Sequence, residues 1–400
     1  MDVLIIGEHV LTGPPGQRID EGAVLVRDER IAAVGPAAEL ENGLPPDVPT
    51  VRFPGATIMP GLFNCHVHLA FDTGPDPMSA TREADGPGLV LGMAARALQL
   101  LGSGVTTARD LGDRDGLGLR LRDAITRGEL PGPRLLVAGA PLTVPAGHCW
   151  YLGGEVDGVG EALELVRRHA AAGVDVVKVM VSGGQTTAGG AAMWESQFDQ
   201  ATLAAIVAEA HRLGRPVAAH AHGTASIAAA VAAGVDTIEH CTWLTDGEFD
   251  PRDDIAAEIA NRGITVCPTA SPNWRRLATF VGAERAAALH GRLRWLDEHG
   301  VRLVAGSDAG LRGSVFDDPV TGLELYEELG FPRERILELA TSGAADGLGL
   351  TSVTGRLAAG LSADVLVVDG DPLADLGALR AVRLVLARGR AHVPTAALAA

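Results

Sequence analysis

Lysine is nearly missing from this chain: Lys178 is the only one, so 32 of the 33 basic residues are arginine. Cysteine is sparse too. Cys65, Cys149, Cys241 and Cys267 lie far apart with no CxxC pair, which excludes a spacing-defined disulfide scaffold or thiolate zinc site and suits a reducing cytoplasm. No run reaches the roughly 18 apolar residues of a membrane span, and the opening MDVLIIGEHVLTG lacks the basic flank of a signal peptide and reads as a strand. Positive charge is in deficit. With 33 basic against 50 acidic residues the formal charge is −17, a field that repels phosphate backbones and anionic membranes, so neither nucleic acid nor membrane is an expected partner. Missing as well are a GxSxG elbow, a GxxxxGK[ST] phosphate loop and a GxGxxG between strand and helix, which argues against serine-hydrolase and nucleotide chemistry. Tyrosine occurs only at positions 151 and 326.

What is present is ordinary globular composition, 47% hydrophobic and 21% charged, which excludes disorder. From about residue 57 to 343 short apolar runs alternate with segments of helical period. Eight strand candidates emerge: Ala56–Met59, Val105–Arg109, Arg134–Ala138, Val174–Val181, Pro216–His220, Thr237–His240, Thr265–Pro268 and Arg302–Gly306. Helix candidates between them include Leu89–Leu101, Gly160–Ala171, Gln200–Leu213, Arg252–Asn261 and Glu284–His299. Several strands are apolar on both faces, as parallel strands covered by helices must be. The expected fold is therefore α/β, a (β/α)8 TIM barrel over residues 57–350. Residues 1–56 and 351–400 have a hairpin rhythm and too little apolar surface for separate cores, and are expected to combine into one small β-sandwich.

The chemistry-bearing residues fall at the carboxyl ends of these strands, where barrel active sites lie. His66 and His68, two apart on an extended segment, project to one side and can reach one metal ion, although a bare HxH also fits two packed histidines. Lys178 sits among Val176, Val177, Val179 and Met180, so burial would lower its pKa. A neutral amine can add carbon dioxide to form a carbamate that bridges two metals, which arginine cannot do; the plain alternative is a lysine paired with a buried acid. His220 and His222 share inward parity, with His220 favoured as ligand and His222 left over the pocket. His240 ends the sixth strand and should point inward, with Cys65 and Cys241 facing away. Asp308, among small residues after the eighth strand, can bind a metal and accept a proton, or else cap a turn. His148 in Pro145-Ala-Gly-His148-Cys could hold substrate or a tetrahedral oxyanion, and Arg109 and Arg312 could clamp a substrate carboxylate; a loop histidine and an Arg109 paired with Asp110 or another acid are the alternatives.

Met59-Pro-Gly-Leu-Phe-Asn-Cys-His-Val-His, Val105-Thr-Thr-Ala-Arg-Asp-Leu-Gly, Lys178-Val-Met-Val-Ser-Gly-Gly, His220-Ala-His-Gly and the tail Leu357-Ala-Ala-Gly-Leu-Ser-Ala-Asp-Val-Leu-Val-Val-Asp-Gly-Asp-Pro-Leu resemble the amidohydrolase superfamily, specifically its imidazolonepropionase-like and Xaa-Pro dipeptidase-like branch. The resemblance implies that His66, His68 and Asp308 bind a more buried divalent metal and His220 and His240 a more exposed one, with carboxylated Lys178 bridging them. It further implies a hydroxide between the metals attacking a carbonyl, with Asp308 passing its proton to the leaving nitrogen. Zinc suits the histidine-rich set. The expected activity is hydrolysis of an amide or peptide C–N bond in a small molecule such as a dipeptide or N-acyl amino acid. A cyclic-amide hydrolase or a deaminase of the same superfamily is the alternative, and a non-catalytic scaffold a more distant one. Homo-oligomers are common in that family. No tyrosine follows the fifth strand to contact substrate as in several dipeptidases, and the loop Gln185–Trp194 is small and apolar, which points to a larger or less polar substrate than a charged dipeptide.

Overall fold

The computed structural model describes residues 2–394; Met1 and positions 395–400, assigned above to the two flanks, lie outside the described residues. Both ends of the chain enter one eight-stranded sheet. Its members are β1 (Val3–Leu11), β2 (Arg18–Asp20), β3 (Gly22–Arg27), β4 (Arg30–Pro36) and β5 (Thr50–Pro60) from the start of the chain, with β14 (Val365–Asp369), β15 (Val382–Ala387) and β16 (Arg390–His392) from its end. They run in the order β16-β15-β14-β5-β1-β3-β4, with β2 beside β1. The two ends join where β5 pairs antiparallel with β14, Ile58 opposite Val367.

Between the flanks lie eight parallel strands: β6 (Leu62–Val67), β7 (Val105–Asp110), β8 (Arg134–Val137), β9 (Val177–Met180), β10 (Val217–Gly223), β11 (Thr237–Leu244), β12 (Thr265–Cys267) and β13 (Arg302–Leu303). Strands β6-β7-β8 form one sheet and β13-β12-β11-β10-β9 another. Isolated parallel bridges Leu142–Val179 and Val67–Ala309 connect them at both edges. Helices such as Gly86–Gly102, Gly158–Ala172, Gln200–Arg212, Asp253–Asn261 and Ala283–Glu298 cover the outside, each within a few residues of its expected span. The result is a TIM-barrel-like α/β fold. Among the described residues no helix is long and apolar enough to cross a membrane.

One strand assignment is corrected. Ala56–Met59, read as the first parallel strand, is the end of β5 and pairs with β14; the first parallel strand is Leu62–Val67. The two β-runs abut with only Gly61 between them, too short a break to show in an apolar pattern. Glycine is required there because a Cβ would sit 2.2 Å from the Thr106 side chain. His66 is consequently inside a strand, with His68 one residue beyond it.

Strand β14 is wholly buried up to its last residue, and its two faces serve different cores. Val365 and Val367 pack with Val3, Ile5, Val24 and Ile58 of the mixed sheet, whereas Leu366 and Val368 join the large core of the parallel strands and their helices. This is the period-two alternation of a strand clamped between layers. Truncation of Leu366 to alanine should cost about 2–5 kcal/mol, measured by urea unfolding. A loss under about 0.5 kcal/mol would show that the sheet does not depend on this contact.

Candidate metal centre

His66, His68 and Asp308 come together at one side of the strand ends, and His220, His222 and His240 at the other; within each trio the possible ligand atoms lie within 4.8 Å of one another. In the first, Asp308 Oδ1 is 3.3 Å from His66 Nε2 and 3.4 Å from His68 Nε2. In the second, the His222 and His240 rings stack at 4.4 Å, and His220 lies 4.6 Å from each. The trios adjoin, with the His66 and His240 centroids 5.1 Å apart. Lys178 lines the same cavity of about 160 Å3, together with His68, His148, Asp308 and the second trio.

Burial sets the charge state. It pushes the His66 imidazole down to about 4 and those of His148 and His222 to about 3, while His220 and His240 also fall well below the ordinary range. All five are neutral at pH 7, the form that ligates metal. Burial also lowers Lys178 to about 8, against the opposing pull of Glu239. For Asp308 burial works the other way, but His66, His68 and Lys178 outweigh it and hold the carboxyl well below its usual value. The Lys178 Nζ and His68 Nδ1 atoms are buried without a hydrogen-bond partner. Five neutral imidazoles, one ionised carboxylate and an unpaired buried amine fit a divalent-metal site.

The histidines are oriented by groups behind them. His240 Nδ1 is 2.9 Å from Thr269 Oγ1, His222 Nδ1 2.5 Å from Thr242 Oγ1, and His220 Nε2 3.1 Å from the Gly183 carbonyl, so each keeps its other nitrogen for the centre. His66 Nδ1 sits 2.8 Å from Glu239 Oε2. Glu239 is fully buried; burial would raise its carboxyl, but Arg109 and His66 draw it down to about 2.

Arg109 is thereby placed, with its guanidinium engaged inside the protein and absent from the cavity lining. Its Nη2 donates to Glu239 Oε1 at 2.7 Å, its Nη1 to Thr237 Oγ1 at 3.0 Å and its Nε to the Cys65 carbonyl at 2.8 Å. The alternative of an ion pair is the one observed, with Glu239 and not Asp110 as the acid. Arg312 is exposed and absent from the cavity lining, although the neighbouring Leu311 is part of it. His148 does line the cavity, its ring 4.6 Å from His220. In β11 His240 turns toward the site and Cys241 packs in the large core, and the adjacent Glu239 turns toward His66 as well. Positive φ angles of 67° at His240 and 50° at Cys241 bend the strand end and break the alternation. Glu239 itself carried one signal in the sequence: an acid beside His240 at the end of a strand candidate.

Replacing Glu239 with glutamine should leave Arg109 as an uncompensated buried charge. Unfolding free energy should fall by about 3–5 kcal/mol and metal affinity by about 10–100-fold, read by denaturant titration and by metal titration of the folded protein. Unchanged values in both would remove Glu239 from any supporting role.

Residues 57–391 match the amidohydrolase family, and residues 22–41 the bacterial imidazolonepropionase-like composite domain. Ochratoxinase of Aspergillus niger is 29% identical over 413 aligned positions, covering 94% of this chain and 82% of that protein. An imidazolonepropionase of a Bradyrhizobium species is 25% identical, covering 91% of each. Among solved structures, a Xaa-Pro dipeptidase with methionine bound in its active site superimposes with a TM-score of 0.85 at 25% identity, over 98% of this chain and 100% of the other. The chain belongs to the amidohydrolase family, in its imidazolonepropionase-like and Xaa-Pro dipeptidase-like branch.

Proposed function

We propose that this hydrolase cleaves an amide or peptide C–N bond of a small molecule with two divalent cations, zinc suiting the ligands best. We read the eight parallel strands as a closed (β/α)8 barrel starting at Leu62. The mixed sheet we read as a composite β-sandwich built by the flanks 1–56 and 351–400, with residues up to Pro60 added to the first. His66, His68 and Asp308 would hold one cation, His220 and His240 the other, and Lys178 both. The observation that carries this reading is the Lys178 Nζ, fully buried, unpaired and facing a cavity ringed by neutral imidazoles. As a free amine it can add carbon dioxide and release a proton, giving an N-carboxylate beside Asp308, the other nearby carboxylate, Glu239, being engaged by Arg109 and His66. The alternative, a lysine paired with a buried acid, finds no support: Glu239 is already taken by Arg109 and His66.

Bound cations would supply Lewis acidity and an activated water at neutral pH. The chain's own residues do the rest. Asp308, kept ionised by its neighbours, takes the proton of the attacking water and delivers it to the departing nitrogen. His148 and His222, neutral and lining the cavity, are placed to donate a hydrogen bond to the developing oxyanion or to orient the substrate. The likeness to a Xaa-Pro dipeptidase supports peptide-bond cleavage.

Metal analysis of wild type and Lys178→Ala, both purified with bicarbonate and without chelator, tests the bridge. Wild type should hold about two zinc ions per chain. The variant should hold fewer and lose at least ~100-fold in activity across a small amide library. One ion per chain in both proteins would sink the carbamate and bring the single-metal deaminase reading forward.

A further inference from the structure

Beside the metal-side cavity lies a larger one of about 410 Å3 that shares Gln185, Met193, His222 and His240 with it. Trp194, Trp274, Leu277, Phe280 and Leu289 make its walls predominantly apolar. Among the described residues no acidic side chain lines it, although the chain has 50 acidic residues. Two arginines do, and they differ in kind. Arg292 is buried and spends its guanidinium on the carbonyl oxygens of His240, Cys241, Pro268 and Leu289, which leaves it a fixed brace for the end of β11. Arg285 is half-buried, gives one hydrogen bond, to the Gly247 carbonyl at 3.2 Å, and has no carboxylate partner among the described residues. Phe280 is 74% exposed despite lining the cavity. It belongs to the short helix Leu277–Val281, which ends at Gly282 with φ 84° and ψ 156°, a backbone conformation that is essentially glycine's alone.

An apolar chamber opening onto two site histidines, bounded by an uncompensated guanidinium and by an exposed aromatic ring, has the makings of a recognition pocket. We propose that this second cavity selects the substrate. It takes a bulky, flat apolar substituent of the amide, and Arg285, in the wall of the same cavity, pairs with an anionic group on that substituent. The location of the scissile bond rests on the hydrolase reading above; occupancy of the cavity does not.

The probes are matched aryl amides with and without a terminal carboxylate, acetamidonaphthoate against acetamidonaphthalene and acetamidobiphenyl carboxylate against acetamidobiphenyl. Affinity is measured by equilibrium dialysis and kcat/KM by product release. Wild type should bind the better acid of the two pairs about tenfold more tightly than its uncharged partner. Arg285→Met should abolish that ratio, Arg285→Lys should restore part of it, and Leu289→Asp should weaken both members of a pair. Equal weakening of acid and neutral amide by Arg285→Met would overturn the proposal, as would tighter binding of a short dipeptide such as Ala-Pro than of any aryl amide. Arg285-dependent binding without turnover of any amide would leave the pocket standing and defeat the hydrolase reading. Turnover with no Arg285 dependence would do the reverse.

Discussion

Glu239 is a carboxylate with no access to water, and the position of the first metal-competent histidine depends on how its charge is met. Arg109 meets it from β7, across the interior from β11, and His66 meets it from β6. Three strands are therefore tied together by one buried chain of charge-assisted hydrogen bonds. Because arginine has five donors, it also reaches the Thr237 hydroxyl and the Cys65 carbonyl, and so holds the backbone immediately before His66. The same low dielectric that strengthens these contacts drives the surrounding imidazoles to their neutral form. Structure and ligand chemistry here have a single cause, the exclusion of water from the strand ends.

The parts of this architecture that are legible in the sequence are those written in local period. Runs apolar on both faces announce the parallel strands, and the helices between them fall within a few residues of their spans. His66, His68, Lys178, His220, His240 and Asp308 could be picked out because strand ends in such a fold converge on one rim. Residues whose meaning depends on a distant partner could not. Arg109 could be read only as a substrate clamp or as paired with some acid, and which acid shows only when Glu239, 130 positions away, is seen against it. The start of the first parallel strand was hidden because β5 and β6 abut with a single glycine between them. The orientation of both Glu239 and His240 toward the centre required left-handed backbone at His240 and Cys241, which no alternation rule anticipates.

The scarcity of lysine acquires a physical sense in this setting. Arginine pairs, braces and caps throughout the molecule, as Arg109 and Arg292 show, and its guanidinium stays protonated in all of these roles. An amine that must shed its proton inside the protein needs the other basic side chain. Lys178 is buried with its amine unpaired, and burial draws it toward the ordinary pH range.

The seam between β5 and β14 has a consequence for how the molecule is made. Strand β5 is complete by residue 60, yet one of its two neighbours is not synthesised until residues 365–369. Throughout translation of the intervening three hundred or so residues, the nascent chain carries the buried end of β5, residues 56–60, with one unsatisfied edge beside a parallel sheet that is itself slow to assemble. A ribosome-bound or prematurely terminated chain thus presents a ready template for pairing with its neighbours, and the last strands serve as the clasp that withdraws it.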